Sequence, residues 1–238
     1  MKRNVYYLLV ITFVFLFLFG CKEGKVTTPI YVSDLKEIKD NFKFDTDTTI
    51  KFPVQSESWF KDNKGKISNL LNRYFNNYDE SSLRIVETGM NTMAEVKVSV
   101  PIFNYKKIKE GNKKPNYSLI NYGVEQGVKD YEHSPFNNLV VIIFNDYKDF
   151  VNDFDSTFMM ADFDISNFKI IMDIRNDERE KFTYRIGSCY INGDALPFKR
   201  KIELDGRDEH TITFSEVYTY VFPYYADKEV NEVVMSFK

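Results

Sequence analysis

Between residues 66 and 78 the apolar positions Ile67, Leu70, Leu71, Tyr74, Phe75 and Tyr78 recur three and four apart, and Ser68, Asn69, Asn72, Arg73 and Asn76 fill the opposite side. One apolar stripe facing one polar stripe is the pattern of a helix lying on a core. A helix is therefore predicted over Lys66 to Asn77, preceded by Gly65 and ended by Asn76-Asn77. The spacing changes to two from Glu95 to Val100, where Val96, Val98 and Val100 alternate with Lys97 and Ser99, as a half-buried strand requires. Leu139 to Phe144 is an unbroken apolar run rich in β-branched residues, the pattern of a strand covered on both faces. Helical spacing returns at Tyr147, Phe150, Val151, Phe154 and Phe158, which predicts a second helix.

From Asn167 onward period two dominates. Phe168, Ile170, Met172 and Ile174 alternate, Asn176 to Glu180 forms a polar turn, and Phe182, Tyr184, Ile186 and Tyr190 share a face. Asn192-Gly193 is a tight-turn signal. Lys199 to Leu204 alternates again before Asp205-Gly206, and Thr211 to Phe214, Val217 to Phe222 and Val233 to Phe237 are further short strands. Strands at this spacing, separated by turn residues, predict a sandwich. The stretch from Phe168 to Phe214 also resembles the immunoglobulin-like modules of bacterial lipoproteins, through Ile174-Arg175-Asn176, Ile191-Asn192-Gly193, Pro197 and Ile212-Thr213-Phe214. That resemblance implies a fold and no activity. The expected architecture is mainly β with helices (α+β): an antiparallel immunoglobulin-like β-sandwich over residues 41–238, with one or two helices packed near its N-terminal half.

The first residues follow a different logic. Lys2-Arg3 precede the apolar run Val5 to Phe19, broken only by Thr12. The run is shorter than the roughly 20 residues a spanning helix needs and matches the apolar region of a signal peptide, here residues 1–20. It ends in Leu18-Phe19-Gly20-Cys21, which resembles a lipobox. The resemblance implies cleavage before Cys21 and a diacylglycerol on its thiol. Gly20 and Leu18 suit that site; Phe19 departs from its usual small or β-branched residue, a relaxation familiar in spirochaetes. Two or more acyl chains hold a protein stably on a membrane where one does not. Residues 21–40 are read as the lipidated cysteine and a polar tether, with a short amphipathic segment, Leu35 to Phe42, leading into the domain.

Composition narrows the function. Hydrophobic residues make up 43% and aromatic residues 16%, enough for a buried core. The formal charge is -3. Without Lys2 and Arg3 the chain carries 30 basic against 35 acidic side chains, which disfavours nucleic acid as a partner. The one basic stretch, Lys106 to Lys114, is read as a solvated loop, with a site for an acidic glycan or lipid head group as the alternative. The lipobox, the abundance of Lys, Asn, Phe and Tyr and the mixed body together resemble Borrelia surface lipoproteins, in particular its small lipoprotein antigen families. Members lie on the outer surface and some bind host components; of functional residues, the resemblance carries over Cys21 alone.

Little in the remaining residues points to catalysis. Cys189 is the only other cysteine, so no internal disulfide forms once Cys21 is acylated, and its strand-like surroundings predict a buried structural thiol. His133 and His210 are the only histidines and neither belongs to a nucleophile or zinc motif. Asp146, Asp149, Asp153 and Asp155 form a local acidic cluster of the oxygen-ligand type calcium prefers, but without the spacing or glycine of an EF-hand, so a solvated acidic face is expected. No Gly-rich phosphate loop, nucleophile elbow or His-Glu-x-x-His helix is present. Trp59-Phe60, Tyr218, Tyr220, Phe222, Tyr224 and Tyr225 read as core, with Phe222-Pro223-Tyr224-Tyr225 as an exposed loop in the alternative, where Tyr224 and Tyr225 are contact residues. The expected function is a non-enzymatic, lipid-anchored bacterial surface lipoprotein. It is held on the outer membrane through acylated Cys21, without cofactor or metal, and contacts a host extracellular or serum protein or an envelope macromolecule. The alternatives are a periplasm-facing lipoprotein that assists envelope assembly or carries a small ligand, and an enzyme with an unrecognised site.

Overall fold

The computed structural model of the protein describes residues 23–38, 43–75, 77–87, 92–105, 120–129, 135–143, 147–158, 168–214 and 232–238. Within them, β1 (Gly24–Tyr31) lies between β2 (Lys43–Pro53) and β7 (Phe168–Arg175). Its pairing with β7 is parallel and runs its whole length, from Gly24 beside Phe168 to Tyr31 beside Arg175. Its antiparallel pairing with β2 covers only Lys25 to Thr27. Beyond that point Pro29 has no N–H to donate, and side chains take over the seam. Thr46 Oγ1 donates to the Pro29 carbonyl at 2.6 Å, and Thr48 Oγ1 donates to Thr28 Oγ1 at 3.1 Å. Both threonines of the second bond are fully buried, so each needs this partner to offset its lost hydration.

This placement corrects the reading of residues 21–40 as a tether and of residue 41 as the start of the domain. Gly24 to Tyr31 is an internal strand, and α1 (Val32–Glu37) follows it with Val32, Leu35 and the next residue, Ile38, buried. Pro29 and the neighbouring threonines conceal the strand, because proline within a run ordinarily argues for an edge.

All thirteen described strands belong to one hydrogen-bonded sheet. β4 (Met93–Asn104) pairs with the full length of β2. Along its other side it meets β3 (Asn77–Glu87) near its start and, in parallel, β5 (Ile120–Lys129) near its end. The order continues through β6 (Pro135–Ile143), β13 (Glu232–Phe237) and β8 (Phe182–Ile186) to an edge at β11 (Arg200–Leu204). On the other side of β7 lie β12 (Glu209–Phe214), β9 (Cys189–Ile191) and a second edge at β10 (Asp194–Leu196). The protein is thus α+β with a β majority. The antiparallel part of the expectation is corrected by the parallel pairs β1–β7 and β4–β5.

The sheet curls until its two ends meet. The Tyr184 hydroxyl on β8 bonds to His210 Nδ1 on β12 at 2.7 Å. Asn176, at the end of β7, donates from Nδ2 to the carbonyls of Leu204 (3.3 Å) and Asp205 (3.0 Å) at the end of β11. The edge strands β10 and β11 are successive in the chain, joined by Pro197 to Lys199. The concave face carries the core: Val26 and Ile30, Ile50, Val96 and Val98, Tyr122 and Val124, Met172 and Ile174, Tyr184, Ile212 and Phe237 belong to one buried cluster.

Several expectations hold in detail. β7 and β11 match their alternation, β6 contains the expected run as far as Ile143 with Leu139, Val140 and Val141 all buried, β12 and β13 coincide with expected short strands, and the Asn192-Gly193 turn has φ of 51° and 90°, as a tight hairpin needs. Val217 to Phe222 lies outside the described residues. The helix expected from Lys66 begins nine residues earlier: α2 spans Glu57–Tyr74, with the Ser56 side chain accepting the Trp59 N–H at 3.1 Å as N-cap. Gly65 lies inside this helix, exposed, and apart from its chain neighbours and the helix's own backbone no atom of the described residues is within 4 Å of the position a Cβ would take. A helix-interior glycine costs about 0.5–1 kcal/mol relative to alanine. Gly65→Ala is therefore expected to raise unfolding stability by about that amount, read from the urea midpoint; a lowered midpoint would contradict the placement of α2.

Candidate functional site

The end of the sheet at which β1 begins, called here the lower end, gathers the features with functional potential. Phe52 at the end of β2 and Phe168 at the start of β7 are covered by α3 (Tyr147–Phe158). Phe158 meets Phe52 edge-on at 5.6 Å and Trp59 of α2 at 5.7 Å, while Phe154 meets Phe168 at 6.2 Å. Tyr74 meets Phe150 at 5.1 Å. The aromatic pair Trp59-Phe60 therefore serves packing: Phe60 is buried and Trp59 is half-buried against α3.

The same contact uses the acidic cluster. Asp153 accepts from Arg73 Nη1 at 2.6 Å and from the Tyr74 hydroxyl at 2.7 Å. Burial, together with the neighbouring carboxylate, pushes the Tyr74 hydroxyl up from its ordinary value, so it remains a donor at any physiological pH. Asp149 and Asp155 are exposed, and Asp146 lies outside the described residues. Asp153 is thus committed to joining two helices, and no group of His, Cys, Asp and Glu able to hold a metal occurs among the described residues.

At the opposite end, α1 is fastened to the loop after β7. Asp177 accepts from the Ser33 N–H at 3.0 Å and from the Ser33 hydroxyl, and Lys36 pairs with Glu178. Desolvation alone would raise the Asp177 pKa, but the two Ser33 bonds and the charge of Arg207 outweigh it and hold the carboxylate below its ordinary range.

Cys189 is buried on β9. Burial pushes its thiol up to about 11, the reverse of what a nucleophile needs. His210 spends Nδ1 on Tyr184, and burial lowers its pKa, which keeps the imidazole neutral at pH 7. His133, Tyr224, Tyr225, Cys21 and the basic stretch Lys106 to Lys114 lie outside the described residues. Phe198, between β10 and β11, belongs to none of the sequence patterns. It is 81% exposed, the most exposed large apolar side chain described, and the alternation of Lys199 to Leu204 gave no sign of it.

These features define a β-dominated α+β domain built on one curled sheet, whose three described helices are too short or too polar to cross a membrane. The chain belongs to the family described as a domain of unknown function, DUF7424, whose model matches residues 24–223 and so begins at the first residue of β1. No curated protein and no solved structure matches the chain.

With its pKa near 11, Cys189 stays protonated throughout the neutral range and shielded from reagents. The native protein at pH 8 is expected to leave Cys189 unlabelled by a maleimide and to label it fully in guanidinium. Rapid labelling without denaturant would show that the thiol is open and activated.

Proposed function

We propose that the protein is a lipid-anchored bacterial surface lipoprotein, without enzymatic activity, that contacts host or envelope macromolecules. The observation that carries this reading is Leu18-Phe19-Gly20-Cys21 at the end of the apolar run Val5 to Phe19. The position of β1 supports it. Only Lys22 and Glu23 separate Cys21 from Gly24, a reach of about 10 Å for extended chain. A triacylated Cys21 would hold the lower end of the sheet against the bilayer. The opposite end, with α1 and the turn after β7, then faces away from the membrane and is the surface open to a host extracellular or serum protein. The raised thiol pKa of Cys189 and the structural use of Asp153 favour a contact role over catalysis.

The finer reading of residues 168–214 as an immunoglobulin-like module belongs to this proposal. Its support is the approach of β8 to β12 through the Tyr184–His210 bond and of the end of β7 to the end of β11 through Asn176. The spirochaetal origin rests on the relaxed lipobox and the composition.

Mass spectrometry of the protein isolated from its native membrane is expected to show a mature N-terminus at Cys21 bearing acyl chains. Protease added to intact cells is expected to remove the domain. An unmodified Met1 would overturn the anchor, and a domain protected until the envelope is broken would overturn surface display.

A further inference from the structure

We propose that the lower end of the sheet is a membrane-contact face, in which Phe198 enters the interface of an anionic phospholipid surface and Lys25, Lys199 and Arg200 lie on its head groups. The Pro197–Lys199 connection joins the two edges of the curled sheet. Its position follows from register. Leu196 pairs with Cys189, Cys189 with Phe214, and Thr213 with Ile171, which places the connection at the end where Gly24 pairs with Phe168. The chain turns there with Pro197, Phe198, Lys199, Arg200 and Lys201 all exposed.

The base of this finger is held firmly. Leu196 is buried, and the Lys199 backbone passes so close to Gly187 that a Cβ there would come within 2.5 Å of the Lys199 nitrogen. A phenylalanine fixed in water on a rigid turn contributes nothing to the core. Aromatic side chains beside cations are suited to the boundary between head groups and acyl chains.

Charge points to the same partner. Lys51, Lys25 and Lys169 stand in register across β2, β1 and β7 at this end. Like charges directly opposite one another on neighbouring strands weaken a sheet. Glu95 pairs with Lys51 and Glu23 pairs with Lys169, whereas Lys25 has no carboxylate partner among the described residues. Arg200 likewise has none, and no acidic residue lies between Leu196 and Glu203. Among the described residues Lys199 reaches only a hydroxyl, that of Ser236, at 3.3 Å. The cations Lys25, Lys199 and Arg200 with a protruding phenylalanine, at the end where β1 begins, complement an anionic lipid surface.

The orientation rests on the anchor proposed above, and the test separates the two. Phe198→Trp adds a fluorophore at an exposed site without disturbing packing. The full-length protein with this change is reconstituted into vesicles containing phosphatidylglycerol, and the unsubstituted protein supplies the Trp59 background. Lipids brominated on their acyl chains are expected to quench about half of the added emission, and aqueous iodide to quench it far less than in detergent-free protein without lipid. Lys25→Gln with Arg200→Gln should weaken the bromine quenching. Added emission that ignores brominated chains and stays open to iodide would overturn the contact face. The mass of the N-terminal peptide from the same preparation reads the anchor. Acylated Cys21 with unquenched Trp emission overturns the contact face alone. Quenched emission on a protein whose Cys21 carries no acyl chain overturns the anchor alone. Failure of both readouts overturns both.

Discussion

The double pairing of β1 is the constraint on which the rest of the structure depends. This strand takes β2 on one side and β7 on the other, and so joins the long β2–β4 ladder to the β7–β12 half of the chain. Residues separated by more than a hundred positions, such as Val26 and Ile170, become neighbours through it. Contacts of that sequence separation carry a large loop-closure cost, which the buried concave face has to offset. Where Pro29 interrupts the ladder, Thr28, Thr46 and Thr48 supply side-chain bonds in its place.

The curl follows from the same arrangement. An open sheet of this size twists strongly and either splits or closes. Here it closes far enough for Tyr184 to reach His210 and for Asn176 to reach the carbonyls at the end of β11. Buried polar groups at such a seam favour a single register, since each alternative leaves a donor or acceptor unsatisfied. The two exposed edges, β10 and β11, are short, and Asp194, Arg200, Lys201 and Glu203 place charges along them, which discourages pairing with another chain.

What could be read beforehand was local. Period-two alternation located β7 and β11, whose buried residues lie on one face, short apolar runs located β12 and β13, and helical spacing located α3 and the second half of α2. β1 was hidden by Pro29 and its polar neighbours, since a buried threonine ladder looks like a hydrophilic linker until its partners are known. The first half of α2 was hidden by Gly65, although Ser56 followed by Glu57 carried a capping signal. Parallel pairing and curl depend on long-range register, which no local pattern encodes. As for the site, Cys189 showed its buried character through its neighbours, while Asp153 looked like a free carboxylate and is bound by Arg73 and Tyr74. Phe198 had no local signature because nothing in its spacing distinguishes an inward from an outward phenylalanine.

Contact face and outward surface both require that folded structure begins at Gly24 and not some twenty residues later. Native-state hydrogen exchange of the amides in Val26 to Tyr31, resolved by peptide mass, measures this directly. The amides of Val26, Thr27, Thr28 and Ile30 should exchange on the slow timescale of β4 and β7. Exchange at the rate of an unstructured peptide would return this segment to a linker and contradict the central place given to β1.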